Sequence, residues 1–149
     1  MNSKNARVLD ANLNRVREGL RVCEDICRFV WEREEWFFLL RELRHQVSRA
    51  ALEKMNLSQL IQSRESEDDL GRGIDAVSIH SSVDAQEIFL RNLQRVKEGF
   101  RVLEEFGQGL DPVLRQTFQT FRYRVYDLEK NILTQLNEHQ KLPTLRHSG

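Results

Sequence analysis

The chain has 149 residues, a usual size for one core, and its 23 basic and 23 acidic side chains cancel. That balance excludes a global pull toward nucleic acid or an anionic membrane, so any anion site must be local. No apolar run approaches the roughly 20 residues of a membrane span, and the start MNSKNARVLD lacks the apolar stretch of a secretory signal. The expected setting is the cytoplasm, with neither membrane nor nucleic acid as partner.

A first helix is expected over about residues 4–31, with Ser3 as its cap, because Leu9, Leu13, Val16, Leu20, Cys23, Cys27 and Val30 recur at steps of three and four. Cys23 and Cys27 fall on its apolar face and read as reduced core thiols, since His45, His80, His139 and His147 have no zinc-type spacing with them. A second helix over about 34–55 buries Trp36, Leu40, Leu43, Val47 and Ala51, and the short connection sets it antiparallel to the first. The stretch over about 62–80 is too long for an ordinary connection and is expected to be functional or disordered. Its acids Glu65, Glu67, Asp68 and Asp69 suit a hard cation in type, or form a solvated charge run.

The third helix opens at Ser81-Ser82-Val83-Asp84, which fits a capping box, and closes at Gly107 or Gly109. Asp111-Pro112 starts the fourth, whose stripe is Leu114, Phe118, Phe121, Val125, Leu128, Ile132 and Leu136, with Pro143 just past its end. No segment alternates with period two. The expected fold is all-α, a four-helix bundle in a single domain over 1–149, built from two repeated antiparallel helix pairs at about 4–57 and 82–140.

The repeat is explicit. NLNRVREGLRVCEDI at 12–26 and NLQRVKEGFRVLEEF at 92–106 share nine of fifteen positions, too many for chance, and Leu43-Arg44-His45-Gln46-Val47 returns as Phe121-Arg122-Tyr123-Arg124-Val125 at an offset of 78 instead of 80. On a helical wheel Asn12, Arg15 and Gly19 form a strip along one margin of the apolar face, with Glu18 within reach of Arg15, and Val22 and Ile26 extend the strip, implying a covered margin. Asn92, Arg95, Glu98, Gly99, Val102 and Phe106 repeat it. A mid-helix glycine costs about 1 kcal/mol relative to alanine, so Gly19 and Gly99 need a compensating approach, by another helix or by a ligand. Arg15 and Arg95 either pair with Glu18 and Glu98 or offer their guanidinium forks to phosphate or carboxylate. Arg44 and Arg122 flank the facing helices, and a pseudo-two-fold would bring four arginines and two asparagines together.

These phrases carry a resemblance. RVLDANLNRVREGLRVCEDICRF (7–29), LRH (43–45), the loop bearing Arg64, Asp69 and Gly71, NLQRVKEGFRVLEEFG (92–107) and FRYRVYDLEK (121–130) resemble the small helical hydroxymethylpyrimidine-phosphate kinase family found alone or fused ahead of thiamin-phosphate synthase. Asp68 stands where that family tends to carry a glycine. The resemblance implies a phosphotransferase of thiamin biosynthesis that converts 4-amino-5-hydroxymethyl-2-methylpyrimidine phosphate and ATP to the diphosphate and ADP, with magnesium. No G-x-x-x-x-G-K-[ST] loop exists here, so arginines must hold the phosphates. Arg15, Arg95, Arg44 and Arg122 are the expected clamp. Asn12, Asn92, Gly19, Gly99, Arg64 and Tyr123 are the expected substrate contacts, and Asp69, Glu18 and Asp10 the magnesium candidates. The alternative is a non-catalytic binding or assembly module associated with thiamin-phosphate synthase, its strip packed on a partner helix or on a second copy in a homodimer.

Overall fold

Asn2 sets the start of the first helix, accepting a hydrogen bond from the Asn5 amide at 2.8 Å, so the cap lies one residue before the expected Ser3. The computed structural model describes residues 2–64 and 84–147, and every regular element among them is helical, as the missing period-two pattern implies. Helix α1 spans Ser3–Asp25 and continues into a π-turn at Ile26–Val30. Next come α2 at Glu34–Lys54, α3 at Leu57–Gln62, α4 at Ala85–Gly107 and α5 at Pro112–His147. Asn56 caps α3, a short helix that the spacing does not signal, and Asp84 caps α4 through the amides of Gln86 and Glu87. Ser81, Ser82 and Val83 lie outside the described residues. Asp111 accepts from the Val113 amide at 3.0 Å beside Pro112, as expected, but α5 runs past Pro143 to His147. An interior proline removes one backbone donor and crowds the carbonyl four residues back, yet the helical course continues through it here.

The π-turn changes which side chains face inward. The Trp31 amide reaches back five residues to the Ile26 carbonyl at 2.9 Å, and Glu32 then takes a left-handed φ of 55° to release the chain into α2. The wider turn rotates the apolar stripe off its 3.6-residue course. Val30, expected in the core, is therefore 60% exposed, and the partly buried Trp31 packs instead, edge-on to Trp36 and against Phe89.

Helices α1 and α4 cross antiparallel at the centre. The Cys23 thiol donates to the Phe89 carbonyl at 3.6 Å, Gly19 lies against Asn92 and Val96, and Gly99 against Asn12 and Val16. A Cβ on Gly19 would sit 2.7 Å from Val96 Cγ2 and 3.0 Å from the Asn92 carbonyl oxygen; on Gly99 it would sit 2.7 Å from Val16 Cγ2 and 3.5 Å from the Asn12 carbonyl. Both glycines thus face the opposing helix, and this replaces the expectation that they contact substrate. Helix α2 packs on α1 and α5 on α4, while Arg124 of α5 donates to Gln46 of α2. These two residues are equivalent in the repeat, so the pseudo-two-fold runs through both layers.

Burial pushes the Cys27 thiol up to about 12 from about 9, with the Glu24 charge adding to the effect, and Cys23 is raised further for the same first reason. Both are free thiols. The unfolded chain sheds these protons near pH 9 while the folded chain keeps them, so this stability is complete below pH 9 and is lost as pH rises through about 12. Urea midpoints taken between about pH 8 and 11 are expected to fall more steeply for the parent chain than for Cys27→Ala. Gly19→Ala gains about 1 kcal/mol of helix propensity, but the clash with the rigid Asn92 backbone exceeds it, for a net loss of about 1–2 kcal/mol by urea denaturation. Gly99→Ala is expected to cost less, because the valine methyl is equally near but the opposing backbone carbonyl stands at 3.5 Å, not 3.0 Å.

Candidate functional site

Each helix pair buries a carboxylate at its interface, and burial dictates what sits beside it. Glu24 of α1 is covered by α2, where Arg44 donates Nε at 2.7 Å and Nη2 at 3.0 Å to its two oxygens. Glu104 of α4, wholly buried, receives Nε at 2.6 Å and Nη2 at 3.1 Å from Arg122 of α5. An unpaired carboxylate in such a place would cost several kcal/mol, whereas a two-pronged guanidinium satisfies both oxygens at once. The Glu104 hydrogen bond also holds the Arg122 guanidinium well above its ordinary pKa. Arg44 and Arg122 are therefore ion-pair partners and not the free phosphate clamp that their flanking position suggests. The missed residues, Glu24 and Glu104, are themselves an identical pair in the repeat, and that was the available signal.

The other two arginines of the expected clamp remain open to solvent. Arg15 is exposed and donates Nη1 to Asn12 Oδ1 at 2.8 Å, not to Glu18, while Asn12 gives its Nδ2 to the Val8 carbonyl at 2.9 Å. Asn92 gives its Nδ2 to the Ile88 carbonyl at 2.8 Å in the same manner. Arg95 is exposed with no ion pair or hydrogen bond among the described residues, and Glu98 accepts from Gln94 instead. Each arginine stands one turn before the glycine of its own helix, so the pseudo-two-fold carries both to the solvent side of the α1–α4 seam. No hydrogen bond among the described residues joins Arg44 or Arg122 to them. The margin itself is only partly covered: Ile26 is buried, but Val22 and Phe106 are exposed.

Helix α3 delivers Arg64 to α1, where its Nε and Nη2 bind the two oxygens of Asp10 at 2.8 and 3.0 Å. That hydrogen bond raises the Arg64 pKa, and it removes Asp10 from the magnesium candidates because a guanidinium occupies the carboxylate. Glu18 is exposed, Asp69 lies outside the described residues, and among the described residues no three acidic, histidine or cysteine side chains gather to hold a metal. Tyr123 is half-exposed, with the Arg122 guanidinium 5.0 Å from its ring centre, and Tyr126 lies 4.7 Å from the Lys97 ammonium, which binds both oxygens of Glu129 at 3.1 Å.

Twin helix pairs, each locked by a buried Glu–Arg fork and carrying an open arginine at the shared seam, define a small all-helical domain whose exposed cations suit anionic ligands. Among the described residues no helix is long and apolar enough to cross a membrane. The chain belongs to the ThiD2 family, whose model matches residues 7–131. It is 40% identical over 128 residues to the thiamine-phosphate synthase of Synechococcus sp. (strain CC9311), covering 86% of this chain and 35% of that protein. The thiamine-phosphate synthases of Synechocystis sp. (strain ATCC 27184 / PCC 6803 / Kazusa) and Prochlorococcus marinus (strain MIT 9313) are 39% and 38% identical over 128 residues, again over 86% of this chain and over 36% and 35% of theirs. The chain thus spans about a third of the length of the curated relatives it matches, proteins named for a step of thiamin biosynthesis. No solved structure matches.

Removing Arg44 alone would strand Glu24 in the α1–α2 interface. Arg44→Ala is expected to lose about 3–5 kcal/mol in urea denaturation at neutral pH. The double variant Arg44→Leu/Glu24→Leu should recover most of that loss, since no buried charge then remains unpaired.

Proposed function

We propose that the chain is an ATP-dependent kinase of 4-amino-5-hydroxymethyl-2-methylpyrimidine phosphate, forming the diphosphate and ADP. Membership of the ThiD2 family over residues 7–131 carries this reading, and kinship with thiamine-phosphate synthases supports its pathway. In the reaction an oxygen of the substrate phosphate attacks the γ-phosphorus of ATP. The bond from that phosphorus to the β,γ-bridging oxygen breaks, and ADP leaves with that oxygen. A phosphate monoester is already largely ionised at neutral pH, with its second pKa about 6, so no side chain need remove a proton. Alignment and charge neutralisation then supply most of the catalysis.

Arg15 and Arg95 are assigned to the phosphates, being the expected clamp members that bind no carboxylate among the described residues. Asn12 orients Arg15 through its Oδ1, and Asn92 leaves its Oδ1 for a pyrimidine amino group or an arginine donor. Arg64 keeps Nη1 donors beyond the two groups bound to Asp10, and Tyr123 offers an open ring face. Magnesium enters on the ATP phosphates as part of the substrate.

A second reading, a non-catalytic assembly module, draws on the exposed Val22 and Phe106 along the seam and on the greater length of the relatives. Phosphorus NMR of the purified chain separates the two. The kinase consumes ATP only with the pyrimidine phosphate and magnesium, and Arg95→Ala lowers kcat/KM by more than about tenfold, equivalent to about 1.4 kcal/mol of transition-state stabilisation, at unchanged melting temperature. Absence of turnover and of any thermal shift with both substrates, together with concentration-dependent dimerisation, would instead establish the assembly module.

A further inference from the structure

The two halves differ in one groove. Between α1 and α2 a cleft of about 490 Å³ is lined by Arg21, Arg28, Arg41 and Arg44, by Glu24, Asp25 and Glu34, and by Phe37 and Phe38. Arg44 and Glu24 neutralise each other. Among the described residues Arg21 and Arg41 have no ion pair or hydrogen bond, and Arg28 has no ion pair or hydrogen bond and lies 5.0 Å from the ring centre of Phe29 and 5.3 Å from that of Phe37. Three uncommitted guanidiniums therefore face the cleft against two carboxylates, and Phe38, 53% exposed, gives it an open aromatic wall.

The second half serves as an internal control. Arg101, the counterpart of Arg21, is bound to Glu104 at 3.7 Å and to Glu105 at 3.1 Å. Phe37 is replaced by Arg115, which donates to Gln108 at 2.6 Å and lies 3.9 Å from Glu105. Arg41 is replaced by Gln119, which donates to Tyr123, and Phe38 by Gln116. The depression beside it, lined by Gln116, Thr117, Thr120 and Phe121, holds no charged side chain. One scaffold thus exists in two versions, one with its cations paired to its own acids and one with unpaired cations among the described residues beside aromatic faces.

We infer that the α1–α2 cleft, a place distinct from the Arg15–Arg95 seam, binds a phosphorylated planar heterocycle, its phosphates on Arg21 and Arg41 and its ring against Phe37 and Phe38, so that one substrate lies here and the other at the seam. Guanidinium forks match phosphate oxygens, and an aromatic face stacks against a planar ring. The volume lies within the range of small-molecule clefts, about 300–1,000 Å³. The choice of occupant, ATP or the pyrimidine phosphate, rests on the kinase reading. The preference for a phosphate-bearing ring does not.

Titration calorimetry on the full chain tests this with ATP, the pyrimidine phosphate, adenosine and inorganic pyrophosphate. Saturable binding of ATP or the pyrimidine phosphate is expected. Arg21→Ala/Arg41→Ala should weaken it by at least about tenfold, while Arg101→Ala/Arg115→Ala leaves it within about twofold. Phe38→Ala should weaken the ring-bearing ligand several-fold and pyrophosphate hardly at all. Equal affinity in the parent and Arg21→Ala/Arg41→Ala overturns the inference, as does failure of both ring-bearing phosphates to bind at millimolar concentration. Turnover that survives Arg21→Ala/Arg41→Ala with unchanged KM for both substrates sinks the cleft and leaves the kinase standing. Binding lost in that variant without any turnover in the parent keeps the cleft and removes the kinase.

Discussion

The close passage of α1 over α4 is the constraint on which the rest of the structure depends. Two helices bearing ordinary side chains stand about 8–10 Å apart, and glycine at the contact permits a closer approach. Here Val96 fills the space over Gly19 and Val16 the space over Gly99, a reciprocal exchange in which each helix supplies both the projection and the hollow. The fit holds the central pair in register, and that register fixes the faces on which α2 and α5 can settle. The Asn12 and Asn92 backbones lie against the opposing glycines, which places Arg15 and Arg95 beside the seam and out of the core.

The outer helices are held in a different manner. Apolar packing by Leu40, Leu43, Phe118 and Val125 is strong but tolerant of sliding, whereas a forked ion pair has one geometry. Glu24–Arg44 and Glu104–Arg122 set the register of α2 on α1 and of α5 on α4. Buried pairs of this kind add little net stability over apolar residues of the same shape, so their contribution here lies in specifying one arrangement.

Periodicity alone made the four long helices and nearly all of the core legible, because stripes of Leu, Val and Phe recur every three or four residues over five or more turns. Asp111-Pro112 was readable for the same reason that it works, a side-chain acceptor followed by a residue without a donor. The π-turn was not readable: Ile26–Val30 carries no glycine or proline, and the left-handed residue that ends it is Glu32, an unusual type for that conformation. At the site, the doubled phrase identified which residues share a margin but not what faces them. Arg44 meets a carboxylate twenty residues earlier on another helix, a distance at which spacing carries no information. Asp69 and its acidic neighbours lie outside the described residues, so the expectations placed on them stand as sequence readings.

The reciprocal seam also constrains how the two copies can drift apart. A change at Val96 is felt at Gly19 of the other copy, and a change at Val16 at Gly99, so neither repeat can vary there without the consent of its twin. Asn, Val and Gly are accordingly the same in both copies along that line, while residues away from the axis have become Phe37 in one and Arg115 in the other, Arg41 in one and Gln119 in the other. A duplicated fold of this kind confines innovation to its flanks: the symmetric centre maintains the scaffold, and one flank is free to acquire chemistry while the other pairs its charges within itself.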